Sequence, residues 1–109
     1  MKYGFTYICG MRLFYVYILK CSDGSFYTGV TNNVDERVMQ HNQGLLPSAY
    51  TYSRRPVELV WVEMLPDPNQ AIALEKKIKG WSRRKKEALI EQDWDKLTEF
   101  SKNYTEFGK

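Results

Sequence analysis

The chain has 109 residues, 43% hydrophobic and 27% charged, a length that fits one domain because two cores would each approach the size at which folding alone is marginal. No run reaches the roughly 18 apolar residues that span a bilayer, so a membrane partner is not expected. The net charge of +3 is too small to name a partner by its sum, and its distribution carries the information.

Residues 1–10 precede a second methionine, Met11, and are read as an N-terminal extension that is disordered or adds an edge strand. The aromatic-rich start is interrupted by Arg12 and lacks the apolar core and small-residue cleavage pattern of a secretory signal. A cytoplasmic location follows as the expectation, with Cys9 and Cys21 reduced. Residues 11–92 are read as the domain proper and 93–109 as a helical or flexible tail.

Phe14 to Lys20 and Phe26 to Val30 are β-branched and aromatic, and Ser22-Asp23-Gly24 between them carries hairpin chemistry. The register is decisive. A turn of Asp23-Gly24 alone sets Tyr27 opposite Lys20, whereas a Ser22 to Gly24 loop with Gly24 left-handed sets it opposite Leu19, on the sheet face that carries Tyr17. Only the second register lets Tyr17 and Tyr27 share a site. Tyrosine is common in strands for packing, so either one alone says little.

Asn33-Val34-Asp35-Glu36 resembles a capping box and Gly44 is a stop, which predicts a helix from Val34 to about Gln43. With Val34 at zero, Val38 falls at about 40°, His41 at about −20° and Arg37 at about −60°. Arg37 and His41 thus border the core-facing stripe, either as a snorkelling arginine with a satisfied histidine or as the lining of a cleft. The loop from Pro47 to Pro56 mixes Tyr50 and Tyr52 with Arg54 and Arg55, as backbone and single-strand binders do, or as any mobile surface loop does.

Val57 to Met64 is a third strand, and its apolar run predicts burial on both faces with helices on both sides of the sheet. Asn69 to Lys79 follows as a helix with Ala71, Leu74, Ile78 and Trp81 on one stripe and Gly80 as its end. Ser82 caps another helix through Ile90, and Asp93 to Phe100 suggests a further short one. Glu75 lies about 60 to 80° from the centre of its helix's stripe. It is either half of a surface ion pair with Lys79 or a lone carboxylate at the lip of a cleft, where Mg²⁺ needs only one or two. Basic residues crowd one stretch, Lys76, Lys77, Lys79, Arg83, Arg84, Lys85 and Lys86, before the acids Glu91, Asp93, Asp95 and Glu99. That polarity suits either a solvated helix surface or a phosphate-facing patch.

Taken in order, these segments resemble the GIY-YIG nuclease superfamily. Tyr15-Val16-Tyr17 stands at the GIY place and Tyr27-Thr28-Gly29 at the YIG place, with Arg37, His41 and Glu75 at family-like spacing. The resemblance runs from about Leu13 to Ile90. It is nearest to the small stand-alone bacterial members, which share the DGS-YTG hairpin, the RRPVELV strand and the E-x-x-IK helix. What it implies is an α+β fold, a small three-stranded antiparallel sheet (a hairpin plus a third strand) flanked by helices in α/β/α layers.

It also implies metal-dependent hydrolysis of nucleic-acid phosphodiesters, DNA foremost, with one Mg²⁺ or Mn²⁺. Tyr17 and Tyr27 would stand near the attacking water, Arg37 on the scissile phosphate and Glu75 at the metal, while His41 occupies a position where relatives carry His or Tyr. A phenol becomes a useful base when a nearby cation lowers its pKa, which Arg37 and the metal would do. Arg54, Arg55, Lys76, Lys79, Arg83, Arg84 and Lys86 are the candidate nucleic-acid contacts. Three positions depart from the family pattern: Tyr15 replaces the first Gly of GIY, Val30 stands where some members carry Lys, and Glu87 where many carry Asn. Lys79 or Arg84 is the candidate substitute for a missing polar group.

Other nuclease patterns fit poorly. Pro66-Asp67 with Glu75-Lys76-Lys77 mimics PD-(D/E)xK, but on a helix Glu75 and Lys77 diverge by about 200°. A ββα-metal site needs paired histidines, and His41 is the sole histidine. Two other classes of function compete: a nucleic-acid-binding module with the fold but no catalysis, and a protein-interaction domain presenting Trp61, Trp81 and Trp94. With no separate DNA-reading domain, selectivity would come from substrate structure, single-strandedness, a homodimer or a protein partner.

Overall fold

The computed structural model describes residues 13–97. They divide into two compact units, one ending at Lys79 and one beginning at Gly80. The first holds β1 (Phe14–Lys20), β2 (Phe26–Thr31), α1 (Val34–Asn42), a 3-10 turn at Tyr52–Arg54, β3 (Glu58–Leu65) and α2 (Pro68–Lys79). The second holds α3 (Arg83–Glu91). The expectations for residues 1–10, for Cys9 and for the tail beyond residue 97 fall outside the described residues.

The strands form an antiparallel sheet in the order β2-β1-β3, which makes the fold α+β. The hairpin takes the longer loop: Cys21 N–H donates to the Ser25 carbonyl at 2.8 Å, Gly24 N–H donates to the Cys21 carbonyl at 2.9 Å, and Gly24 is left-handed at φ 86°. Tyr27 therefore pairs with Leu19 and Gly29 with Tyr17, all on one face.

Burial corrects the reading of β3. That strand lies at the sheet's edge and leaves Leu59, Val62 and Met64 exposed. Burial on both faces belongs instead to the central strand, where Tyr15, Tyr17 and Leu19 on one face and Val16 and Ile18 on the other are all shielded. An apolar run reports burial, and position in the sheet decides which run is shielded. A bulge at Val60 accommodates a register shift, since Ile18 pairs with Trp61 but Leu19 with Leu59.

The helix ends follow their sequence signals. Asn33 caps α1 by accepting the Glu36 N–H at 3.1 Å. At the far end, Leu45 N–H reaches the Gln40 carbonyl at 3.0 Å and Gly44 N–H the His41 carbonyl at 3.3 Å, a Schellman closure with Gly44 at φ 72°. Pro68 opens α2, one residue earlier than the pattern predicts, because its missing N–H would be unpaired there anyway. Asp67 accepts the Asn69 N–H at 3.2 Å. In the second unit Ser82 caps α3 through the Lys85 N–H at 3.2 Å.

A core of Tyr17, Leu19, Cys21 and Val57 gathers Val38 of α1 and Tyr27 of β2 against it. Asn42 ties the end of α1 to the start of β3: its amide accepts the Val57 N–H at 2.7 Å and donates to the Val57 carbonyl at 3.1 Å. Helix α2 packs on all three strands, burying Ala71, Glu75 and Ile78. No helix among the described residues is long and apolar enough to cross a membrane.

Candidate active site

The hairpin register brings Tyr17 and Tyr27 together with ring centroids 6.3 Å apart. His41, on the last turn of α1, completes the group at 5.2 Å from Tyr27 and 6.3 Å from Tyr17. Gly29 makes the assembly possible. It lies directly opposite Tyr17, and a Cβ there would fall on the Tyr17 hydroxyl and ring edge, so the phenol occupies the space a side chain would need.

Tyr17 is fully buried, and its hydroxyl meets His41 Nε2 at 3.3 Å. On the other side of the imidazole, Nδ1 meets the Thr51 hydroxyl at 2.6 Å. Both ring nitrogens of a histidine only 2% exposed are thus engaged. Burial, then the Arg37 charge, lowers the His41 pKa from its ordinary 6.5, which keeps the ring neutral near pH 7.

Electrostatics at Tyr17 run against the simple expectation of an acidified phenol. Burial, followed by the neighbouring Tyr27, pushes its pKa up to about 12, although Arg37 pulls the other way through charge and hydrogen bonding; Glu75 adds to the rise. Desolvation outweighs the cation because the phenolate loses all its water while Arg37 is only half-buried. Tyr17 is a neutral donor at pH 7.

Glu75 is more deeply placed than its angle on the helical wheel suggests, 8% exposed and within electrostatic reach of Tyr17. Its Oε2 holds Lys79 Nζ at 2.7 Å, and this contact raises the Lys79 pKa, first by hydrogen bonding. Both readings of Glu75 therefore have a foundation: it is ion-paired, and it is a buried carboxylate within electrostatic reach of Tyr17.

The loop after α1 roofs the cluster. Tyr50 lies parallel to Tyr27 at 6.4 Å, with the Arg54 guanidinium 3.9 Å over its ring. Arg54 also donates to Asp23 at 3.0 Å and to the Tyr50 carbonyl at 2.8 Å, joining this loop to the hairpin turn. Arg55 sits 4.7 Å over Tyr52 and donates to the Tyr52 carbonyl at 2.8 Å. These cations support the loop as well as offering charge to solvent.

The remaining basic candidates divide between the units. Lys76 and Lys79 are exposed on α2, while Arg83 and Arg84 are exposed and Lys86 is half-buried on α3. Glu87 pairs with Arg83 at 3.0 Å, an ordinary i,i+4 contact. Val30 pairs with Val16 and so faces away from Tyr17 and Tyr27, which means that its departure from the family pattern removes nothing from that cluster. Trp61 and Trp81 are half-buried, Trp81 under Lys85 at 4.3 Å, and Trp94 is exposed.

A small α+β domain with a tyrosine pair across a hairpin, closed by an Arg/His helix and a buried helical glutamate, defines a recognisable class. Residues 13–88 match the family model described as the GIY-YIG catalytic domain, and the chain belongs to that family. It is 45% identical to a UPF0213 protein of Syntrophus aciditrophicus over 76% of this chain and 95% of that one. It is 46% identical to a UPF0213 protein of Staphylococcus haemolyticus over 75% of this chain and 99% of that one. The solution NMR structure of protein EF2693 from E. faecalis is similar, at 34% identity and a TM-score of 0.53, covering 73% of this chain and 84% of the other.

Proposed function

We propose that this chain is a divalent-metal-dependent endonuclease that hydrolyses nucleic-acid phosphodiester bonds, with DNA as the expected substrate. The observation that carries the reading is the buried Tyr17 hydroxyl against a neutral His41 Nε2, under the influence of both Arg37 and Glu75. A phenol held near 12 is not ionised at pH 7, so it serves as a base only if its own proton leaves as it takes one. His41 is the acceptor within reach. A water carried in with the phosphate loses a proton to the Tyr17 oxygen, which is shielded in the free chain, the Tyr17 proton passes to Nε2, and the hydroxide attacks phosphorus as the ester oxygen leaves. The phosphate's negative charge favours the imidazolium, offsetting the burial that lowers the His41 pKa. Arg37 stabilises charge on the phosphoryl oxygens.

Among the described residues no three of His, Cys, Asp and Glu gather to hold an ion. A donor set built on Glu75 is a single carboxylate completed by water and substrate oxygens, which suits Mg²⁺ or Mn²⁺. Such an ion, when bound, supplies charge stabilisation at the leaving oxygen. Tyr17→Phe tests the reading, because it removes the proton path and keeps the ring. Cleavage of labelled single-stranded, duplex and branched DNA is expected to fall about 10²–10⁴-fold with binding retained; unchanged cleavage contradicts the assignment.

The Glu75–Lys79 pair favours a second reading, a binding module in which Glu75 only neutralises a lysine. It predicts salt-dependent binding without cleavage by the wild-type chain.

A further inference from the structure

Thr51 stands at the N-cap of the 3-10 turn Tyr52–Arg54, where a threonine hydroxyl ordinarily satisfies a free backbone N–H; here it makes no cap hydrogen bond. It turns inward instead. The residue is 1% exposed in a loop whose neighbours Tyr50 and Tyr52 are exposed, and its Oγ1 lies 2.6 Å from His41 Nδ1. Its carbonyl meanwhile accepts the Arg54 N–H at 2.9 Å, so the roof of the cluster and the imidazole are pinned to the same residue.

We infer that Thr51 is a positioning residue that fixes His41 as the Nδ1–H tautomer, leaving Nε2 as the acceptor for the Tyr17 proton; the inference rests on the nuclease reading above. A threonine hydroxyl can donate or accept, so the choice of tautomer comes from the other end of the chain of contacts. A phenol is far more acidic than an aliphatic alcohol, so of the two hydroxyls that flank the ring Tyr17 is the stronger donor. Tyr17 therefore directs its O–H to Nε2, 3.3 Å away. Nε2 then carries no proton, Nδ1 does, and Thr51 Oγ1 accepts the hydrogen bond that Nδ1–H donates. Polarity runs one way, from Tyr17 through His41 to Thr51. The same hydrogen bond helps set the rotation of the imidazole ring, whose side-chain hydrogen-bond partners among the described residues are Tyr17 and Thr51.

Nitrogen-15 NMR of the histidine side chain in the labelled full chain tests this directly, because His41 is the sole histidine. Wild type is expected to show a protonated Nδ1 and an unprotonated Nε2. Thr51→Val keeps the shape and removes the acceptor; its His41 signals should shift to a mixed or Nε2–H pattern, and cleavage should fall about 10–100-fold, as for other partners that orient a working histidine. Thr51→Ser should restore both. An Nε2–H wild type overturns the inference, as does a Thr51→Val variant whose His41 signals match wild type, or a folded Thr51→Ser variant that behaves like Thr51→Val. If Thr51→Val does not fold, the wild-type tautomer and Thr51→Ser still decide. Absence of cleavage in wild type counts against the nuclease reading, whereas the tautomer pattern stands or falls separately.

Discussion

Tyr17 and His41 are each held neutral by burial, and this has consequences for stability at both ends of the pH scale. The folded pKa of His41 lies below 6.5, so between the two values the unfolded chain binds the extra proton, and stability falls as pH drops below 6.5. Tyr17 is raised from 10.0 to about 12, so the unfolded chain loses its proton first and stability falls as pH rises above 10. Urea midpoints are expected to form a plateau between these limits, and His41→Asn should flatten the acid limb; an acid limb unchanged in that variant contradicts the burial argument. Gly29→Ala is a second test at this scale. Its Cβ has no space beside the Tyr17 ring, so unfolding free energy should drop by about 1–3 kcal/mol, read from the same titrations. The meeting of Tyr17 with Tyr27 was half legible: Ser22-Asp23-Gly24 marks a hairpin but allows two registers, and only the fold shows the longer loop that puts both tyrosines on one face. The upward shift at Tyr17 was not legible, since sequence spacing brings Arg37 near but carries no measure of how much water the phenol loses. Thr51 gave no signal either: a threonine between two tyrosines in a polar loop reads the same whether its hydroxyl faces solvent or an imidazole.

Elements place these residues through a few contacts at their ends. The Asn42 amide pairs with both backbone groups of Val57, acting as a short length of β-ladder between α1 and the entry to β3. Asn42→Ala leaves those groups unpaired beside a buried residue and is expected to cost about 1–3 kcal/mol in chemical denaturation. A loss of under a few tenths would show that water replaces the amide freely. Helix limits were legible within a residue or so because Asn33, Gly44 and Ser82 each satisfy a specific terminal group. The exposure of β3 was not legible, because Glu58–Leu65 has the composition of a shielded strand and only the pairing order shows that β1 takes the centre. Glu75 was half legible. Its angle on the wheel put it beside the apolar stripe, while its burial depends on how α2 seats on the sheet.

For the whole molecule, the described chain separates at Gly80, and the basic residues separate with it, Arg54, Arg55, Lys76 and Lys79 before that point and Arg83, Arg84 and Lys86 after it. In the first unit Arg54 and Lys79 are held by internal partners, Asp23 and Glu75. Composition alone therefore says little about phosphate contact. The central claim is catalytic, and Glu75 divides it from simple binding. The most direct measurement compares wild type with Glu75→Ala for cleavage of labelled DNA in Mg²⁺ or Mn²⁺, with binding followed across a salt series. The nuclease account predicts that wild type cuts, and that Glu75→Ala binds with a similar salt dependence and does not cut. Salt-dependent binding without cleavage by wild type, matched by Glu75→Ala, would contradict it and leave a binding module in its place.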